Sequence, residues 1–98
     1  MVDKVIRTER LELVDRRGRI RAVLACDTDS EAPSCAFLDA DGQTRLIVGI
    51  SWNGMPQIQL SAQDGTARVA LAVRPEGMGM VVLMDDQQRS KTITTNDA

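Results

Sequence analysis

The sequence predicts an all-β chain, an antiparallel meander of about eight short strands made from four hairpin repeats of about 23 residues each. The first sign is residues 37–46, FLDADGQTRL, where an Asp-Gly pair sits between two alternating apolar runs. Such a pair is the strongest short-range mark of a hairpin, because a type I′ turn needs positive φ at both central residues. The second sign is recurrence, since residues 13–21, 60–68 and 83–91 superpose on this unit at steps of 24, 23 and 23 residues. The third is agreement of faces. A two-residue turn at Asp41-Gly42 pairs Asp39 with Thr44, Phe37 with Leu46 and Cys35 with Val48. The same register collects Leu11, Leu13, Ala22, Leu24, Cys26, Ile50, Ile58, Leu60, Val69, Leu71, Val73, Val81 and Leu83 on that side. A slip of one residue would turn every one of these sets outward.

Taken in order, residues 1–9 alternate weakly and read as an arm or an extension of the first strand. Leu11 and Leu13 open the first repeat, Arg17-Gly18 is its turn, and residues 19–26 return. Residues 27–34 form the longest connection, polar and closed by Pro33. Residues 35–39 and 43–51 flank Asp41-Gly42, and the Asn53-Gly54 turn that follows shows that each repeat holds two strands and two turns. Residues 58–62 and 67–73 flank Asp64-Gly65. Residues 80–85 and 89–93 flank a degraded turn at Gln87-Gln88, and 94–98 read as a frayed tail. A single domain, residues 1–98, is expected at this length.

The opposite face is mixed, with Glu12, Val14, Arg21, Val23, Leu38, Arg45, Ile47, Gly49, Gln59, Ser61, Arg68, Ala70, Val82 and Met84. It is too apolar for plain surface and too charged for an ordinary core. Eight such strands can close as a barrel or sandwich, or through a homo-oligomeric prism or propeller, since an open sheet leaves its edges unprotected. The half-apolar second face favours the oligomer.

The pattern L-x-L-x-D-x-x-G-x-x-R, clearest at residues 37–45 and traceable over 10–91, resembles the repeats of a loose group of uncharacterised bacterial β-hairpin repeat proteins. The resemblance implies the hairpin architecture and no activity, cofactor or site. The fourth unit departs from it at Gln88, where the glycine is missing, as suits a terminal capping unit.

Composition narrows the function classes. With no His, His-based acid–base catalysis, triads and His–metal sites are excluded. Aromatics are 2% of the chain, so no row of rings exists on which sugars or single-stranded nucleic acid could stack. Net charge is −2, although residues 1–24 carry +3 and the remainder −5. No nucleic-acid or membrane partner is expected, and neither a secretion signal nor a long apolar run is present, so a cytoplasmic location is the default.

Several residues deserve a structural and a functional reading together. Cys26 and Cys35 correspond to apolar positions in the next units and read as small core residues, reduced in a cytoplasmic setting, with a cross-strand disulfide as the alternative. Asp15, Asp39 and Asp85, each three residues before the turn glycine position, read as acceptors for backbone N–H groups rather than as a carboxylate row. Arg21, Arg45, Arg68 and Lys91 form a row on the mixed face, and Trp52 sits at a turn tip. These five are the candidate ligand or interface contacts. The expected function is a non-enzymatic structural or protein-interaction module that self-assembles through its sheet faces, as a homo-oligomer or with a protein partner, without a cofactor. The alternative is a binding module for an anionic ligand or glycan, using the arginine row or Trp52.

Overall fold

A computed structural model describes residues 4–95 and places eight strands in them. These are β1 (Arg10–Val14), β2 (Ile20–Cys26), β3 (Pro33–Leu38), β4 (Thr44–Ile50), β5 (Pro56–Ser61), β6 (Ala67–Val73), β7 (Gly79–Met84) and β8 (Ser90–Thr94). They form one antiparallel sheet in sequence order. No helix occurs among the described residues, so none is long and apolar enough to cross a membrane. Pro33 and Pro56 each open a strand, the position where a missing N–H does least harm to the ladder. Residues 4–9 are an arm without strand structure, tied on by a bond from the Cys26 N–H to the Glu9 carbonyl. Residues 1–3 of the expected arm and 96–98 of the expected tail lie outside the described residues, and Thr94 belongs to β8.

The pairing runs straight across the sheet. Leu13, Ala22, Phe37, Leu46, Leu60, Val69, Leu83 and Lys91 are successive partners on neighbouring strands. Leu11, Leu24, Cys35, Val48, Ile58, Leu71, Val81 and Ile93 form a second row two residues away. Opposed residues of an antiparallel pair share a face, so both rows lie on one side of the sheet. This is the apolar face expected from the sequence.

The hairpin ends differ from expectation. Asp39 does not pair with Thr44 across a two-residue turn. Instead the Asp39 N–H bonds the Gln43 carbonyl at 2.8 Å, the Gly42 N–H bonds the Asp39 carbonyl at 3.1 Å, and Leu38 pairs with Thr44 across a bulge. Gly42 has φ +85°, whereas Asp41 is not among the positive-φ residues. The loop is thus a type I turn closed by one left-handed residue, not a type I′ turn. The Asp39 carboxylate decides between them by accepting the Asp41 and Gln43 N–H groups, 2.9 and 3.1 Å away.

Gln88 takes the glycine role in the last hairpin at φ 66°, a conformation that costs an L-residue about 1–2 kcal/mol. Gln88→Gly is therefore expected to raise stability by roughly 0.5–1 kcal/mol, because glycine's greater unfolded-state entropy takes back part of the gain. Urea unfolding of the two proteins measures it.

Closure within the chain is not found: β1 pairs only with β2, and β8 only with β7. The straight rows explain why. A small barrel needs its strands staggered, by about eight residues around an eight-stranded ring. With Lys91 level with Leu13, that stagger would carry β8 past either end of a five-residue β1. A sandwich within the chain is also absent, since every described strand belongs to the one sheet.

The sheet consequently has no second layer, and among the described residues none is buried. The chain's accessible surface of 7773 Å², arm and turns included, compares with about 5,500 Å² for a compact monomer of this mass. Its radius of gyration, 16.2 Å, compares with about 13 Å for a compact chain of this length.

Candidate functional site

Among the described residues fifteen large apolar side chains are exposed, and eleven of them lie on the apolar face: Leu11, Leu13, Leu24, Phe37, Val48, Ile50, Leu60, Leu71, Val73, Leu83 and Ile93. Phe37 and Leu60, at 42% and 41%, touch neighbours along the sheet but have nothing above them. A shallow depression of about 440 Å³, bounded by Ile58, Leu71, Val73 and Val81, falls where Gly79 stands opposite Val73.

The mixed face carries charged and polar side chains among its apolar ones. Val23, Ala36, Ile47, Gln59, Ala70 and Val82 are all half-buried although that face too lacks a second layer. Long side chains lie across the face. The Arg21 Nε donates to the Leu38 carbonyl at 3.1 Å, the Arg45 Nε to the Ser61 carbonyl at 2.8 Å, and an Arg68 terminal nitrogen to the Asp85 carbonyl at 2.7 Å. Each arginine also meets an acidic turn residue of its own hairpin: Arg21 with Asp15 at 3.7 Å, Arg45 with Asp39 at 3.5 Å and Arg68 with Asp64 at 3.1 Å. The three therefore brace one hairpin to the next and hold the bulges in which they sit.

Lys91 leaves that row. The fourth hairpin has no bulge, so Lys91 pairs with Leu83 and lies on the apolar face, on the edge strand. The physical reason is visible in the other three hairpins, where the bulged arginine is held by the hairpin beyond it. No described strand lies beyond β8. The repeat alignment placed Lys91 with the arginines and could not register the lost bulge. Trp52 lies apart from both faces, 82% exposed at the tip of the Ser51–Met55 turn.

Cys26 and Cys35 are free thiols, so the disulfide alternative does not apply. Leu24 faces Cys35 and Cys26 faces Pro33, which makes the two cysteines diagonal neighbours on the apolar face. Among the described residues no group of three or more His, Cys, Asp or Glu is placed to hold a metal ion.

The turn aspartates act as the sequence suggested. Asp15 accepts the Arg17 and Arg19 N–H groups, and Asp85 those of Gln87 and Arg89. The bond from the Gln43 N–H, opposed by partial desolvation, heads the causes that hold the Asp39 carboxyl below its ordinary range. The Arg89 N–H does the same for Asp85. At Asp15 desolvation pushes upward, but the two N–H bonds and Arg19 together outweigh it. In the third hairpin Ala62 replaces this residue, and Asp64 accepts the Thr66 N–H instead.

A carboxyl with a lowered folded pKa contributes stability that is fully present above the unfolded value and is lost as pH falls through the folded one. The melting temperature is therefore expected to hold between pH 7 and 5 and to drop below about pH 4, where aspartates begin to protonate. Asp39→Asn with Asp85→Asn should flatten that drop, as circular dichroism melts across the range will show.

No protein-family model matches the chain, and a comparison with curated proteins found no match.

Proposed function

We propose that this chain is a non-enzymatic structural or protein-interaction module that folds by self-assembly, covering with further protein the sheet it cannot cover itself. The observation that carries the reading is the absence of any buried residue among those described, combined with a face on which eleven large apolar side chains stand open. A one-layer sheet in that state lacks the hydrophobic burial that offsets chain entropy. Surface in excess of a compact monomer by roughly 2,000 Å² is of the size that obligate interfaces cover.

The anionic-ligand alternative loses support from the same geometry. Arg21, Arg45 and Arg68 already donate to backbone carbonyls and meet carboxylates, so a ligand would have to displace bonds that join the hairpins. Size-exclusion chromatography with light scattering at micromolar concentration tests the proposal. A mass of two or more times 10.7 kDa is expected, whereas a folded species of 10.7 kDa would refute it.

A further inference from the structure

We infer that the occupant of the apolar face is a second copy of this chain, laid face to face in a two-layer sandwich. The inference rests on the self-assembly proposed above and adds the surface and the partner.

Area is the first argument. The eleven large apolar residues of the face are 38% to 64% exposed. At roughly 75 Å² each they offer on the order of 800 Å² per copy, the share that each partner brings to an interface of standard size. Composition is the second. Across the two rows that traverse the sheet the only charged residue is Lys91, which sits on the edge strand β8, where its ammonium can remain in water. An apolar centre with a charge confined to the rim is the anatomy of an interface, and a uniform apolar surface is complementary to itself under a two-fold axis.

Side-chain reach distinguishes two layers from a three-sided prism. Leu, Val and Ile extend about 5 Å from a sheet, half the spacing of about 10 Å at which two sheets pack. Eight strands at about 4.8 Å make a sheet roughly 34 Å wide, and three such sheets would stand about 10 Å from a common axis. Aliphatic side chains would leave that axis unfilled, and Phe37 is the one ring on the face. Two layers fill the space.

Thiol reactivity measured on the full chain, together with its mass, tests this. Cys26 is exposed in the single chain and Leu60 is at the centre of the face, so maleimide labelling is followed by peptide mass spectrometry at Cys26 and, in a second protein, at the thiol introduced by Leu60→Cys. A thiol introduced by Gln63→Cys at an exposed turn sets the open rate. Labelling at both face positions at least tenfold slower than at the turn, abolished by denaturant and accompanied by the mass of two chains or an even multiple, is the expected result. Should Leu60→Cys fail to fold, native Cys26 still reports. An assembled mass with face thiols as reactive as the turn thiol would overturn the sandwich and leave self-assembly standing. Protection with the mass of three chains would overturn it in favour of sheets around one axis, and a folded single chain would remove both proposals.

Discussion

Leu60→Asp is expected to yield no folded, assembled protein, while Gln59→Glu one residue away elutes and melts as the parent does. The two side chains point to opposite sides of β5. Leu60 stands in the middle of the first apolar row, between Leu46 and Val69, and Gln59 lies on the mixed face between Ile47 and Ala70. Covering a leucine contributes about 1.5–3 kcal/mol, and enclosing an unpaired carboxylate costs several more. Each copy carries the change, so the loss per assembly is multiplied. Against a total stability of about 5–15 kcal/mol that is enough to unfold the protein. Far-UV circular dichroism and elution volume at matched concentration read the outcome. Equal effects of the two substitutions would mean that the faces are not distinguished as described.

The other large effect is expected on the mixed face, at Gly49. A Cβ there would lie 2.8 Å from both the Pro33 carbonyl oxygen and the Ser34 Cβ. Ser34 is the direct partner of Gly49 across β3 and β4, so the two strands would have to part. Overpacking of this kind typically costs about 1–3 kcal/mol, and with backbone among the obstructing atoms Gly49→Val should fall at the upper end. Gly49→Ala should cost less, and Ser34→Gly added to it should recover part of the loss by removing the Ser34 Cβ while the Pro33 carbonyl oxygen and the position-34 Cα, 3.0 Å away, remain. Urea midpoints of the three proteins test this. A Gly49→Val protein as stable as the parent would show that the strands are not held at this separation.

Much of this architecture was legible in the chain because it rests on local rules applied four times. Period-two alternation around Phe37, Leu60 and Leu83 fixed the faces; the turn glycines Gly18, Gly42 and Gly65 fixed three hairpins, and Asp85 marked the fourth. The turn type was less legible, since Asp-Gly serves a type I′ turn and a type I turn closed by a left-handed glycine equally well. The deciding signal was Asp39 itself, whose position three residues before Gly42 suits a carboxylate that accepts both turn N–H groups. The bulges at Arg21, Arg45 and Arg68 were hidden because each lies at the turn end of its strand, beyond the apolar pairs that set the faces. Lys91 was misplaced for the same reason: its repeat position matches the arginines, but its pairing with Leu83 does not. Closure within the chain could not be judged without the stagger of the rows, which belongs to the whole sheet and to no single unit.

The aliphatic make-up of the apolar face was foreshadowed by composition. A chain that is 43% hydrophobic with two rings has aliphatic material for a core, and only the pairing shows that one sheet gathers it on one side without enclosing it. The row of arginines illustrates the converse. Charge at regular spacing invites a ligand, yet Arg21, Arg45 and Arg68 already donate to the carbonyls of Leu38, Ser61 and Asp85.

The proposed dependence of folding on assembly is tested most directly by the melting temperature as a function of protein concentration. If the sheet folds only when covered by another chain, mass action raises the melting temperature steadily from nanomolar to high micromolar concentration, and dilution unfolds the protein. A cooperative melt at one temperature across that range, given by a species of 10.7 kDa, would contradict it.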